Sequence, residues 1–367
     1  MSKARGLADL GNAYSDGALS NRNMIVNGAM KVHQRGDQTG VTSTTNYFVD
    51  RFQLVATDEG TWSLTQEDDA PSGSGFTKSA KLEITTADSS IEAGDYAQLR
   101  YKFESQDVKH LLKGTSEAKK CTLSFWVKSS IAQNYTVRMR ETNSATSRQN
   151  VKQYTVSSAN TWQEVVMTFD GDTGGDDFST AVDTNGNLVI EWMLGGGTDY
   201  QGGVPDVGWE DVDTTAYDAT DTFLTTVNST FQITGVQLEV GDTATPFEHR
   251  SYGDELQRCQ RYYQRFDHND NANNFSLSMI GAYWTSVEHY CVLPLCVTMR
   301  ADPTLQVSGS DALRVFGAGG TSVSTGIVLD IEGATMMEIR VDSPRVESAV
   351  FVRINAVDDY LALDAEL

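Results

Sequence analysis

The sequence predicts an all-β protein: an antiparallel β-sandwich or barrel, one short α-helix, and then a second, smaller β domain. Three observations carry this. From about residue 23 to 247, hydrophobic side chains recur every second residue in segments rich in β-branched and aromatic types. The segments are joined by Gly-, Asp-, Ser- and Thr-rich stretches with no strand–helix–strand rhythm, which requires antiparallel pairing. Helical spacing stands out in one place only, at 251–266.

Taken in order, residues 1–22 are small and polar and read as an N-terminal arm, ordered only where something holds it. The stretch 23–52, "NMIVNGAMKVHQRGDQTGVTSTTNYFVDRF", reads as the entry to the sandwich. Met24, Ile25 and Val26 are expected to enter a sheet, Asn27-Gly28 to turn, and Tyr47, Phe48 and Phe52 to pack the next strand. Asp50 and Arg51 read as a structural pair or solvent face, not a site. Strands are expected at 60–67, 95–103, 122–130, 134–141, 161–170, 187–194 and 230–240. In "TLSFWVKSS" Leu123, Phe125 and Val127 share one face. In "NYTVRMRE" Tyr135, Val137 and Met139 oppose Thr136, Arg138 and Arg140. The longest loops, 170–187 and 195–222, are acidic and Gly-rich. In "SYGDELQRCQRYYQRF" Asp254 can cap a helix, with Gln257 three residues on. Leu256, Cys259, Tyr263 and Phe266 follow at helical spacing with Tyr262 beside them. Strand patterns resume at 276–299, 304–309, 325–341 and 348–367. The implied division is an arm (1–22), a sandwich (23–250), a connecting helix (251–267) and a C-terminal β domain (268–367).

The chain has 367 residues, enough for two or three domains with cores of their own. Its 28 Lys and Arg against 50 Asp and Glu give a formal net charge of -22. That charge repels nucleic-acid phosphates and anionic membranes, and lets acidic loops attract divalent cations. Cys121, Cys259, Cys291 and Cys296 show no CxxC spacing and read as reduced, mostly buried thiols. The N-terminus has no apolar core of signal-peptide length, and no apolar run approaches the ~18–20 residues of a membrane span. Synthesis in a cytoplasm without standard export is the expectation.

"NMIVNGAMKVHQRGD", "YFVDRF" and "SFWVKS" resemble the opening and core strand of a β-sandwich common in tailed-bacteriophage virion proteins. "ITGVQLEVGDTATPFEHRSYGDELQRCQRYYQR" (233–265) looks like the segment joining such a sandwich to a following helix in phage tail-fibre and virion-surface proteins. "MRADPT" and "LALDAEL" resemble the usual sequel and end. The likeness covers about 23–265 well and the C-terminal domain loosely. It implies a jelly-roll-like sandwich similar to carbohydrate-binding modules, a homotrimer, attachment to other virion proteins through the arm, and a place on the virion exterior. These motifs are architectural and bring no catalytic signature.

No GxSxG elbow occurs, and His33, His110, His249, His268 and His289 are scattered. His289, Cys291 and Cys296 are close in sequence but read as strand residues, not zinc ligands. Asp170, Asp172, Asp176 and Asp177, among glycines, form a candidate structural-calcium loop without EF-hand spacing. The alternative is a solvated acidic loop. Glu210, Asp211 and Asp213 form a second such group. No cofactor is otherwise called for. Saccharide recognition needs aromatic faces with polar partners. Trp126, Arg138 and Arg140 on outward strand faces, and Tyr200, Trp209 and Tyr217 on the long loop, are the candidates. The alternative is that they pack on neighbours or on another subunit. Trp62, Trp162 and Trp192 read as core or core edge. Leu256, Cys259, Tyr262, Tyr263 and Phe266 are a candidate subunit contact, the alternative being packing within the chain.

These readings favour a non-enzymatic phage virion protein, a tail fibre that holds host-surface polysaccharide through many weak sites. An architectural capsid-decoration or tail-adaptor protein is the alternative. A polysaccharide depolymerase is the third reading. It needs a carboxylate pair about 5–10 Å apart in a groove, which the sequence cannot single out.

Overall fold

The structure, a computed structural model, describes residues 21–42, 45–57, 60–142, 148–178, 188–211, 222–267, 278–283, 285, 287–317, 320–331, 336–343, 349–356 and 359–367. The expected arm therefore lies almost wholly outside the described residues, as do Asp213, Tyr217 and His268. The chain forms two compact units that divide between Glu255 and Leu256, with Leu367 grouped with the first.

The first unit contains strands β1 (Gln38–Val41), β2 (Thr45–Tyr47), β3 (Phe52–Ala56), β4 (Thr61–Glu67), β5 (Ser79–Thr86), β6 (Tyr96–Phe103), β7 (Cys121–Ser129), β8 (Asn134–Glu141), β9 (Arg148–Thr155), β10 (Gln163–Phe169), β11 (Leu188–Gly196), β12 (Trp209–Asp211) and β13 (Thr230–Val240). One sheet runs β1-β4-β5-β13-β7-β10 and the other β12-β9-β8-β11-β6-β3-β2. Every pairing is antiparallel, giving the jelly-roll-like sandwich that the two-residue period requires. Short helices α1 (Ser105–Val108) and α2 (Thr222–Thr225) interrupt the strands.

Alternation decides what fills the space between the sheets. Leu123, Phe125 and Val127 of β7 meet Tyr135, Val137 and Met139 of β8 and Leu188, Ile190 and Trp192 of β11 in one buried cluster. Phe125 crosses the layer to Trp192, ring centres 5.8 Å apart at 87°, and to Tyr154 at 5.4 Å and 83°. Edge-to-face pairs of this kind add about 0.5–1.5 kcal/mol to the burial of each ring.

The entry stretch forms no ladder strand at Met24–Val26, contrary to the sequence expectation. It docks through the Met24 N to Leu238 O bond, 2.9 Å, and through side chains. Asn23 donates to Val236 O at 3.0 Å and accepts from the amides of Ile25 and Leu238. Val26 N donates to the Tyr101 hydroxyl at 2.9 Å. The Asn27-Gly28 turn does form, with Asn27 at φ 61° and Met30 N donating to Asn27 O at 2.8 Å. A Cβ on Gly28 would stand 2.0 Å from Val236 O, so only glycine lets this turn approach β13. Asp50 accepts both the backbone and the side-chain amide of Gln34, at 2.7 and 2.6 Å. Arg51 is buried, donates to Lys102 O at 2.6 Å and stacks on Tyr101. Both are structural, and neither opens a site.

Helix α3 (Tyr252–Gln260) is shorter than its sequence pattern. Ser251 caps it, accepting Asp254 N at 3.2 Å and Glu255 N at its carbonyl. Tyr263 begins a strand, so Tyr263 and Phe266 belong to a sheet and the expected helical stripe breaks after Cys259.

The second unit contains β14 (Tyr263–Asp267), β15 (Ser278–Tyr283), β16 (Glu288–Pro294), β17 (Thr304–Val307), β18 (Leu313–Gly317), β19 (Gly320–Val323), β20 (Gly326–Ile331), β21 (Met336–Asp342), β22 (Ala349–Ile354) and β23 (Tyr360–Asp364). A three-stranded sheet, β14-β23-β17, faces a seven-stranded one, β19-β18-β22-β15-β16-β21-β20. Their shared core includes Met279, Leu293, Val315, Ile339, Val352, Leu361 and Leu363. Among the described residues no cysteine is in a disulfide, and burial pushes the Cys121 and Cys291 thiols up to about 12. No helix is long and apolar enough to cross a membrane among the described residues.

Candidate functional site

The face of the first unit's seven-stranded sheet turned away from its core carries mostly polar and charged side chains. The register gathers them into rows. Glu191 on β11 lies between Arg100 on β6 and Arg138 on β8. One row along, Val189 lies between Lys102 and Arg140, and Gln149 on β9 follows Arg140. On the other side Met193 lies between Gln98 and Thr136. Gln53 on β3 and Tyr47 on β2 extend the Arg100 row outward.

Glu191 is the hub. Arg100 Nε donates to its Oε1 at 2.7 Å and Gln98 Nε2 at 2.9 Å. Arg140 spans both oxygens at 3.1 and 3.2 Å, and Arg138 Nε closes on Oε2. Arg138 also donates to Gln149 Oε1 at 3.3 Å. Full burial alone would raise the Glu191 carboxyl, but Arg138, Arg100 and Arg140 outweigh it and hold the group well below the usual carboxylate range. Such a carboxylate stays ionised and fixes three guanidinium planes across the strands.

Around this hub several polar atoms are buried without a hydrogen bond. Gln98 Oε1, Gln53 Oε1 and Thr136 Oγ1 find no partner among the described residues. Glu191, Gln98 and Gln53 are fully buried, whereas the Arg100 and Arg140 side chains are 14% and 17% exposed. At the Gln98 end Tyr96 packs on Met193, and Tyr200 packs on Tyr96 with ring centres 4.7 Å apart. The segment carrying Tyr200 is pinned by Gly197 N to Asp95 O, 2.7 Å, and Asp199 N to Ala93 O, 2.9 Å. A Cβ on Gly197 would stand 1.8 Å from Glu92 O, which demands glycine there.

Of the saccharide candidates, the structure brings Arg138, Arg140 and Tyr200 to this one face. Trp126 lies elsewhere, on the outer face of the six-stranded sheet between Glu164 and Thr234, with its edge near Phe76. Trp209 is an anchor, not a platform. It packs on the core, donates to Asp170 O at 2.7 Å and carries Lys113 Nζ 5.3 Å from its ring. Tyr217 lies outside the described residues. Gln98, Arg100, Gln149, Glu191 and Tyr96 went unread in the sequence. Their signal was present: "YAQLRY" places Gln98 and Arg100 on the face opposite Leu99 and Tyr101, and Glu191 is a lone charge in an apolar run.

In the acidic loop, Asp170 and Asp172 of the expected calcium ligands are paired with cations. Asp172 binds Arg148 at 2.6 Å and Lys113 at 2.9 Å, and Asp170 pairs with Lys120 at 2.7 Å. Asp176 and Asp177 are exposed, and the Asp176 amide donates to Glu141 Oε1 at 3.0 Å. Asp211, of the second acidic group, is held by Arg148 at 3.0 Å. Among the described residues no group of three or more His, Cys, Asp or Glu side chains is placed to hold a metal ion. Lys113 joins Asp172 to Glu141, 2.7 Å away, and both carboxylates are fully buried. Burial raises Glu141, while Asp172, also pushed up by burial, is brought below its ordinary value by Arg148 and Lys113. Glycosidic cleavage needs a carboxylate pair open to substrate, but here a lysine sits between the two and both are buried.

The candidate subunit-contact residues are used within the chain. Cys259, Tyr262 and Tyr263 are buried, and Phe266 packs against the second core. Tyr263 pairs with Asp364 and Phe266 with Leu361 in the three-stranded sheet. Leu256 is half-buried. They present no exposed stripe to a neighbour.

No family model and no curated protein matches this chain. Among solved structures it is similar to the enzymatically active domain of tailspike protein 4 of bacteriophage CBA120, at 13% identity and TM-score 0.30, over 60% of this chain and 22% of that one. It therefore spans less than a quarter of that tailspike's length. It is also similar to a putative sugar-binding protein from Bacteroides thetaiotaomicron, at 12% identity and TM-score 0.32, over 60% of this chain and all of the other. A third is TmCBM61 in complex with β-1,4-galactotriose, at 7% identity and TM-score 0.28, with 60% and 100% covered. At these values no activity, ligand or partner transfers to this chain.

Proposed function

We propose that the first unit binds a saccharide, without turnover, on the non-core face of its seven-stranded sheet, and that the chain does so as a recognition part on the surface of a tailed-phage particle. The carrying observation is that buried Glu191 fixes the guanidiniums of Arg100 and Arg140, whose side chains are 14% and 17% exposed, on that face. Sugar hydroxyls accept from guanidinium N–H groups, and suit such a surface better than an apolar ligand. Tyr96 and Tyr200 supply ring surface for sugar C–H groups at one end.

Binding without turnover fits the hub's protonation. Glycosidic cleavage needs a carboxyl that can deliver a proton, and Glu191 is clamped in its ionised form. The phage setting rests on the sequence resemblance, which also motivates a homotrimer and an arm that attaches to other virion proteins.

The test is affinity electrophoresis of the full chain in gels containing bacterial surface polysaccharides, with melting temperature measured in parallel. Tyr200→Ala and Arg100→Gln should each weaken retardation about tenfold, the worth of one or two good polar or ring contacts. Trp126→Ala should leave it unchanged. Equal retardation of all four proteins would overturn the site, and release of reducing ends from the retarding polysaccharide would overturn binding without turnover.

A further inference from the structure

The second unit leaves one face of its seven-stranded sheet apolar and exposed. Met279, Cys291, Val315, Ile339 and Val352 point to the core, so alternation sends Ile280, Val292, Phe316 and Phe351 the other way. Phe351 is the register partner of both Phe316 and Ile280. One step beyond the Gly281–Cys291 pair, the same antiparallel register sets Ile280 across from Val292. Ile280 is 72% exposed, Phe351 53% and Val292 46%. Val328, on the same face beside Arg340, is 38% exposed. Single exposed apolar residues are ordinary, but a row continuous over four strands marks a contact surface.

The charges around this row point to the occupant. On one side β18 and β22 carry Arg314 and Arg353 as register partners. On the other β16 and β21 carry Glu288, Glu338 and Asp342, with Arg340 between Glu288 at 3.6 Å and Asp342 at 3.4 Å. The face is basic at one flank, acidic at the other and apolar between, in a chain whose net charge is -22. Two chains that acidic repel each other over most of their surfaces. Here an axis through the apolar row sets each basic flank against the other copy's acidic flank. Self-complementarity under rotation is what a symmetric contact requires.

We infer that the Ile280–Phe351–Val292 face of the second unit is an interface between copies of this chain. The row supplies the apolar centre and Arg314 and Glu338 set the rotation; the contact belongs to the second unit, the saccharide face to the first.

Light scattering on the size-exclusion peak of the full chain tests this. The wild-type chain is expected at a multiple of 40.2 kDa, and Ile280→Asp and Phe351→Asp at a single 40.2 kDa. Circular dichroism melting checks that these exposed substitutions leave the fold intact. Arg314→Glu should weaken association at least tenfold, and adding Glu338→Arg should recover most of that loss. A wild-type monomer at 100 micromolar, or an oligomer indifferent to Ile280→Asp and Phe351→Asp alike, would overturn the proposal.

Discussion

At the scale of single residues, Glu191 has the largest consequences. Its carboxylate is fully buried and opposed by three guanidiniums, so its loss leaves cations with no counter-charge at the hub. Breaking one side of such a cluster costs about 3–5 kcal/mol, whereas exposed pairs are worth almost nothing. Glu191→Ala is therefore expected to lower the melting temperature by about 10 °C, on the scale of ~2–4 °C per kcal/mol for domains of this size. The pH dependence has a definite sign. The folded-state carboxyl lies below its unfolded value, so the unfolded chain takes up the proton first as pH falls. The contribution is complete above the unfolded carboxylate value of about 4.3 and is lost progressively below it. Between pH 5 and pH 2.5 the wild type should lose more stability in urea than Glu191→Gln. Parallel losses would show that the hub does not titrate with folding.

At the scale of elements, what was legible followed from alternation, and what was missed followed from context that alternation does not carry. The faces assigned to β7 and β8 are the faces observed, because a two-residue period leaves no other way to bury Leu123, Phe125, Tyr135 and Val137. The segment 251–266 misled because Tyr263 and Phe266 extend the helical spacing, although three residues apart they fall on opposite faces of a strand. Pairing with β23 decides for the strand. β5 and β9 went unread because Lys81, Glu83, Arg148 and Lys152 give them a polar cast, although Leu82, Ile84 and Tyr154 reach the core. The partners of the acidic loop were illegible for a related reason. Sequence shows the carboxylates but not the cations that strand β9 and the turn at Lys113 bring to them. Asp172→Asn should therefore lower the melting temperature by several degrees, through the loss of Arg148 and Lys113 together. A chelator should leave the wild-type melt unmoved, and a drop of more than 2 °C in EDTA would restore the calcium reading.

At the scale of the molecule, the two units have separate cores, one around Phe125 and Trp192 and the other around Ile339 and Leu361. Each is large enough to unfold cooperatively by its own hydrophobic content, since burying one such side chain contributes about 1.5–3 kcal/mol and each core holds more than ten. Two calorimetric transitions follow. They can be assigned, because a cavity in one core acts only on the transition of the unit that contains it. Ile339→Ala, which empties a fully buried site on β21, should cost about 2–5 kcal/mol and move one transition down while the other stays within a degree. Glu191→Ala should move the other. The same division separates the two proposals: saccharide binding should survive Ile280→Asp, and self-association should survive Tyr200→Ala. If Ile339→Ala and Glu191→Ala instead shift a single transition together, the units fold as one cooperative body, and the effects of those two surface substitutions need not separate.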